Sequence, residues 1–259
     1  MARLLYITID GLRPDALEAA HLPTLLTLMQ EGASTLCARS VFPSITLPCH
    51  MSIFHSLPPE RHNVLTNTYT PIARPVPGLF EVLKHSGRRS GMFYSWEPLR
   101  DVARPLSLAV SKLIAYDHNP EVSDVRVVEA AMPYIKSGEL DFTFLYLGSV
   151  DEVGHLEGWM SPAYLRQVEH VDTLLGRVLE ALPLDTLLLL MSDHGGHLRM
   201  HGSEHPEDMT VPFIAWGSGI ARGLQIAEQV SLLELAPTAA ALLGVVPEPA
   251  WEGRVLRLG

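Results

Sequence analysis

Asp193 and His194 close an apolar run, Leu187 to Met191, and are followed by Gly195, Gly196 and further histidines at 197, 201 and 205. The run is too short for a membrane span and reads as a strand buried on both faces. Asp193 and His194 then fall at its carboxyl end, where open α/β sheets keep their ligands. Adjacent residues of a continuing strand point opposite ways, so the glycine pair is read as a tight turn that aims both side chains at one point. A carboxylate beside an imidazole there offers half of a divalent metal site. The competing reading is a solvated loop that is merely rich in histidine.

The same arrangement recurs twice. Leu4 to Ile9 is a β-branched and aliphatic run ending at Asp10-Gly11, which makes Asp10 a second candidate ligand; a helix cap or a turn residue is the alternative. Asp141 to Val150 reads as another buried strand ending in an acid, Asp151, with His155 four residues on. On a helical turn that spacing places both side chains on one face. Thr46 lies just ahead of Pro48 and an apolar helical pattern, at a helix start where free N–H groups favour an anion. Its hydroxyl is either a helix cap or a nucleophile whose alkoxide a metal stabilises. His50, His55 and His62 have no acid at suitable spacing and are read as packing or hydrogen-bonding residues.

The elements that must carry these residues alternate as strand and helix. Helices are expected at Pro23 to Gly32, within Val76 to Gly87, at Glu121 to Ile135, Pro162 to Leu182 and Ser231 to Leu243, with strands near Ser90 to Ser95 and Val211 to Trp216. That pattern predicts an α/β domain over residues 1–259, with 96–120 as the least regular segment and a candidate small cap or lid. With 47% hydrophobic content the chain can bury a large core. Its 29 acids against 19 bases give −10, which repels nucleic-acid polymers and offers no basic patch for anionic lipid. A small phosphate compound is still accommodated, because bound cations outweigh the diffuse field locally. Cys37 and Cys49 form no disulfide framework, and no signal peptide or membrane span is read, so a cytoplasmic setting is expected.

In the order Asp10, Thr46, Asp151, His155, Asp193, His194, His201, the chain resembles the alkaline phosphatase superfamily, and within it the type I phosphodiesterase and nucleotide pyrophosphatase branch. The stretches that carry the resemblance are IDGLRPDAL, FPSITLPCH, DEVGH, SDHGG and HGSEHPEDMTVP, together with the tail LLELAPTAAALLGVVPEP. It implies a mostly parallel central sheet with helices on both faces and a small or absent cap. It also implies two divalent ions, zinc first and manganese as the alternative. Asp10, Thr46, Asp193 and His194 would hold one and Asp151, His155 and His201 the other, with His197 and His205 as rivals to His201. The implied reaction is hydrolysis of a phosphate ester or phosphoanhydride through a phosphothreonine on Thr46. A phosphomonoesterase or phosphonate hydrolase on the same site is one alternative, and a non-catalytic metal-binding regulator is another. Relatives commonly carry asparagine where this chain has Cys49, so Cys49 is expected either to face the phosphoryl group as a weak donor or to be a small buried packing residue.

Overall fold

The computed structural model describes residues 2–71, 75–116 and 119–259. Among these, β1 (Arg3–Ile9), β2 (Ala33–Arg39), β3 (Ser90–Tyr94), β4 (Val110–Leu113), β5 (Phe142–Leu147), β6 (Thr186–Met191), β7 (Thr210–Trp216) and β8 (Leu224–Gln225) form a single sheet. The spatial order is β4-β3-β5-β1-β6-β7-β2-β8. Neighbours are parallel except β7, which runs against both β6 and β2. The helices are α1 (Ala16–Ala19), α2 (Pro23–Glu31), α3 (Thr46–His55), α4 (Pro59–His62), α5 (Leu79–His85), α6 (Pro120–Ser137), α7 (Ser149–Glu157), α8 (Pro162–Ala181), α9 (Pro206–Met209) and α10 (Leu235–Leu242).

Strands in the middle of the sheet are apolar throughout because both faces are covered. Leu4 and Tyr6 of β1 join a core beneath α3, α5 and α10, whereas Leu5, Ile7 and Ile9 join the core beneath α2, α6 and α8. α8 shows how a helix is fixed on such a face. Ser161 accepts a hydrogen bond from the Tyr164 N–H at 3.2 Å, Pro162 pre-sets the first turn, and Tyr164, Val168, Val171, Leu175 and Val178 form the buried stripe. Each such aliphatic side chain contributes about 1.5–3 kcal/mol on burial.

The central parallel trio β5-β1-β6 decides where the chemistry can be. Ile9 is in register with Leu147, and Thr8 with Met191, so the three strands end together. Asp10 follows the end of β1 directly and Asp193 follows β6 after Ser192; Asp151 is not at a strand end, because it sits in the first turn of α7, the helix that also carries His155. Residues 96–120 are more regular than expected: a 3₁₀ turn, Glu97–Val102, is followed by β4, the edge strand beside β3. Residues 117–118 of that segment lie outside the described residues.

The Gly195–Gly196 pair is needed for space and not for a left-handed turn, since neither adopts positive φ. A Cβ on Gly195 would stand 2.0 Å from the Glu207 carbonyl oxygen, and one on Gly196 2.3 Å from the Trp159 ring. The loop after β6 is therefore pressed against its neighbours by main chain alone.

Candidate active site

The structure brings Asp10, Thr46, Asp151, His155, Asp193, His194 and His201 together at the carboxyl end of the central strands. His194 Nε2 lies 3.2 Å from Asp10 Oδ1, 3.4 Å from Asp193 Oδ2 and 3.2 Å from Thr46 Oγ1. His155 Nε2 is 3.4 Å from Asp151 Oδ2, and His201 Nε2 is 3.7 Å from Asp151 Oδ1. Two groups have potential ligand atoms that all lie within 4.8 Å of one another, Asp151-His155-His201 and Asp10-Asp151-His194, so Asp151 stands between them.

Asp10 Oδ1, Asp151 Oδ1 and Asp193 Oδ2 are buried without hydrogen-bond partners. Converging carboxylates without a counter-charge are strongly disfavoured, and divalent cations with oxygen and nitrogen ligands remove that penalty. Ring orientation fits the same occupant. His194 Nδ1 lies 2.8 Å from the Gly195 carbonyl, His155 Nδ1 3.0 Å from that of Arg199, and His201 Nδ1 2.8 Å from that of Ser44. A carbonyl can only accept, so each Nδ1 donates and each Nε2 keeps its lone pair for the site.

Thr46 is the first residue of α3 and its hydroxyl makes no cap, which sets aside the capping alternative. His197 pairs with Asp208 at 2.7 Å, while His205 pairs with Glu207 at 3.2 Å and stacks on His197, so neither rival of His201 reaches the cluster. His50, His55 and His62 are buried and bonded to the Thr46 carbonyl, the Val76 carbonyl and the Ser52 hydroxyl, as their packing role requires.

Cys49 departs from the donor reading. Its thiol is fully buried in the core, 3.3 Å from Ser40 Oγ, and the Ser40 hydroxyl donates to the Asp193 carbonyl. Burial and then the Asp193 charge push the thiol pKa up, so it packs beneath the loop that carries Asp193 as a neutral group. Asn67, a residue no sequence pattern marked, presents a side-chain amide to the cavity instead. Asn67 lines the cavity, and its Oδ1 accepts the Leu47 N–H at 3.0 Å, which leaves the amide N–H₂ to donate beside Thr46. Asn67 lies in a polar loop without periodicity, so nothing local marked it. Tyr146 was also missed, although strand alternation places it on the Phe144 face; its hydroxyl donates to Asp10 Oδ2.

Burial, with the Asp10 charge second, raises the Asp151 and Asp193 carboxyls well above the ordinary range. Burial lowers His194 and pushes His201 down to about 3. Carboxyls with a raised folded pKa hold protons that the unfolded chain has released, so their contribution to stability falls as pH rises through that window. The histidines act oppositely, but only below their ordinary value near 6.5, above which they are neutral in both states. Above pH 6.5, where the histidines are neutral in both states, the raised carboxyls leave the metal-free protein with no gain in melting temperature as pH rises, and added divalent ion is expected to raise that temperature. Calorimetry with and without chelator checks this; a metal-free melting temperature that climbs over that range refutes it.

Residues 4–205 match the family model described as type I phosphodiesterase / nucleotide pyrophosphatase. The chain is 34% identical over 154 residues to 2,3-bisphosphoglycerate-independent phosphoglycerate mutase 2 of Methanosarcina acetivorans, covering 57% of this chain and 29% of that protein. It is 23% identical over 217 residues to ectonucleotide pyrophosphatase/phosphodiesterase family member 7 of Homo sapiens, covering 74% and 47%. An inactive variant of murine ectonucleotide pyrophosphatase/phosphodiesterase 5, solved in complex with AMP, superposes with a TM-score of 0.80 at 17% identity over 96% of each chain. The chain thus spans under a third of the phosphoglycerate mutase's length and about half of the human relative's.

Proposed function

The chain belongs to the type I phosphodiesterase and nucleotide pyrophosphatase family of the alkaline phosphatase superfamily, and from that premise we propose that it is a metal-dependent phosphodiesterase acting through a phosphothreonine. The observation that carries the reading is the Thr46 hydroxyl at a helix start, 3.2 Å from His194 Nε2 among three orphaned carboxylate oxygens. Asp10, Thr46, Asp193 and His194 would hold one divalent ion and Asp151, His155 and His201 the other, and such ions lower the pKa of a hydroxyl and neutralise developing negative charge. Zinc suits the mixed imidazole and carboxylate set, with manganese as the alternative.

Thr46 Oγ1 forms a bond to phosphorus as the bond to the leaving oxygen breaks on the opposite side. Asn67 donates its amide N–H to a non-bridging oxygen, a contact that strengthens as charge builds there. Tyr146 holds Asp10 in place by its hydrogen bond to Oδ2. Water then forms the new bond to phosphorus and Thr46 Oγ1 leaves, returning the hydroxyl. No described helix is long and apolar enough to cross a membrane, and the substrate assigned is a small phosphate compound.

A panel of bis(p-nitrophenyl) phosphate, p-nitrophenyl phosphate and p-nitrophenyl phenylphosphonate tests the reading on the metal-loaded protein. Preference for the diester is expected; turnover of the monoester or the phosphonate alone would transfer the assignment to that substrate. Asn67→Ala is expected to lower kcat on the diester about 100-fold or more. Asn67→Asp keeps the acceptor for Leu47 but loses the donor, so it should fall at least as far. An Asp variant with normal kcat would show that Asn67 only braces the helix start.

A further inference from the structure

Trp159 lies just past the end of α7 and is buried, yet it offers no ligand atom to the cluster. Its contacts nevertheless reach all three segments that carry the clustered acids and histidines. The indole N–H donates to the Gly11 carbonyl, next to Asp10, at 2.9 Å. The ring presses on Gly154, between Asp151 and His155, so closely that a Cβ there would stand 2.6 Å from it. Gly196, two residues past His194, meets the same part of the ring. The main-chain N–H of Trp159 donates to the Leu198 carbonyl at 2.8 Å, and the next carbonyl, that of Arg199, accepts from His155 Nδ1. Finally, the His155 and His201 rings both stand edge-on to the indole, at 5.0 and 5.9 Å between centroids.

We propose that Trp159 is a positioning residue for the Asp151-His155-His201 group, fixing α7 against the loop after β6 so that ligands from both converge on one ion. The proposal rests on the two-ion reading above. Asp151 and His155 are held together by their own helix, four residues apart. His201 arrives on a loop, and its distance from them depends on what ties that loop to α7. One rigid ring in contact with both glycines, with a hydrogen bond on either side of it, is such a tie. Asp10 and Asp193 need it less, because they sit just past β1 and β6, which pair along their length. Loss of the indole therefore falls on one ion more than on the other.

The test is a stepwise zinc titration of the metal-free protein against a competing chelator, which gives an affinity for each ion without turnover. Trp159→Leu should weaken one ion about 10–100-fold, the range usual for groups that orient metal ligands, and leave the other within about threefold. Added to His155→Ala, which lacks the ion in question, the same change should leave the remaining affinity within about threefold. Val168→Ala, in the buried stripe of α8, should lower the melting temperature and leave both affinities as they are. Gly154 has no positive φ, so Ala suits the helix there and strikes only the ring. Gly154→Ala should weaken the same ion, and that loss should vanish in the Trp159→Leu background. Unchanged affinities in Trp159→Leu, equal weakening of both ions, an effect as large in Val168→Ala, or a Gly154→Ala loss that persists without the indole overturns the proposal. If the Leu variant does not fold, Gly154→Ala decides alone, and wild-type affinities in it refute the role. A wild-type protein that takes up fewer than two ions refutes the two-ion reading before any variant is compared, and the proposal falls with it.

Discussion

Thr46→Ala is expected to lower kcat on an activated phosphodiester by at least about three orders of magnitude, because it removes the hydroxyl that stands at the start of α3, 3.2 Å from His194 Nε2. The fold should survive. Thr46 makes no cap, the Thr46 carbonyl that accepts from His50 at 2.8 Å is main chain, and the Leu47 N–H keeps its bond to Asn67. Thr46→Ser should retain measurable activity, since the hydroxyl is kept while its rotamer is freer. Melting curves and elemental analysis run beside the kinetics separate chemistry from collapse: an unchanged melt with near-complete loss of turnover supports the phosphothreonine. Near-normal turnover by the Ala variant would mean that water attacks phosphorus directly. A metal-binding protein without catalysis, the remaining alternative, predicts that wild type and both variants are equally inactive.

Metal removal is the second large effect. Chelation is expected to abolish turnover, and the metal-replete protein should contain two ions per chain; a single ion, or full activity after exhaustive chelation, would end the two-metal reading. The variants that best separate the two positions follow from geometry. Asp151 lies within reach of both ligand groups, so Asp151→Ala should weaken both ions. His155 belongs to one group only, and Asp193 contacts His194 on the other side, 3.4 Å from its Nε2. His155→Ala and Asp193→Ala are therefore each expected to retain about one ion, and a mass spectrum of each protein under native conditions reads this directly. Loss of one ligand from a three- or four-ligand set typically costs far more than loss of an outer-shell partner, for which a 10–100-fold drop in affinity is usual. If His155→Ala and Asp193→Ala lost the same ion, the partition would have to be redrawn.

While β2, β4 and β8 carried no pattern that marked them as strands, the sequence by itself determined the central strands, most of the longer helices and the identity of the clustered residues. Local chemistry suffices for these. Apolar runs that stop at an acid mark the carboxyl ends of buried strands, and four-residue spacing puts Asp151 and His155 on one helical face, as α7 bears out. It could not determine which strand ends meet, because the order β5-β1-β6 joins segments more than a hundred residues apart through main-chain pairing that leaves no local trace. The same limit explains the histidines: 197, 201 and 205 share spacing and surroundings, and only the folded loop gives His197 to Asp208 and turns His201 toward Asp151. That Cys49 takes the buried packing alternative while Asn67 faces the cavity has a related reason. A helix position three residues after Thr46 says nothing about what packs behind it, and here Ser40 and the loop carrying Asp193 close over the thiol. The Asn67 amide is oriented at the cavity by the Leu47 N–H that its Oδ1 accepts, a contact made across 20 residues of chain by tertiary packing.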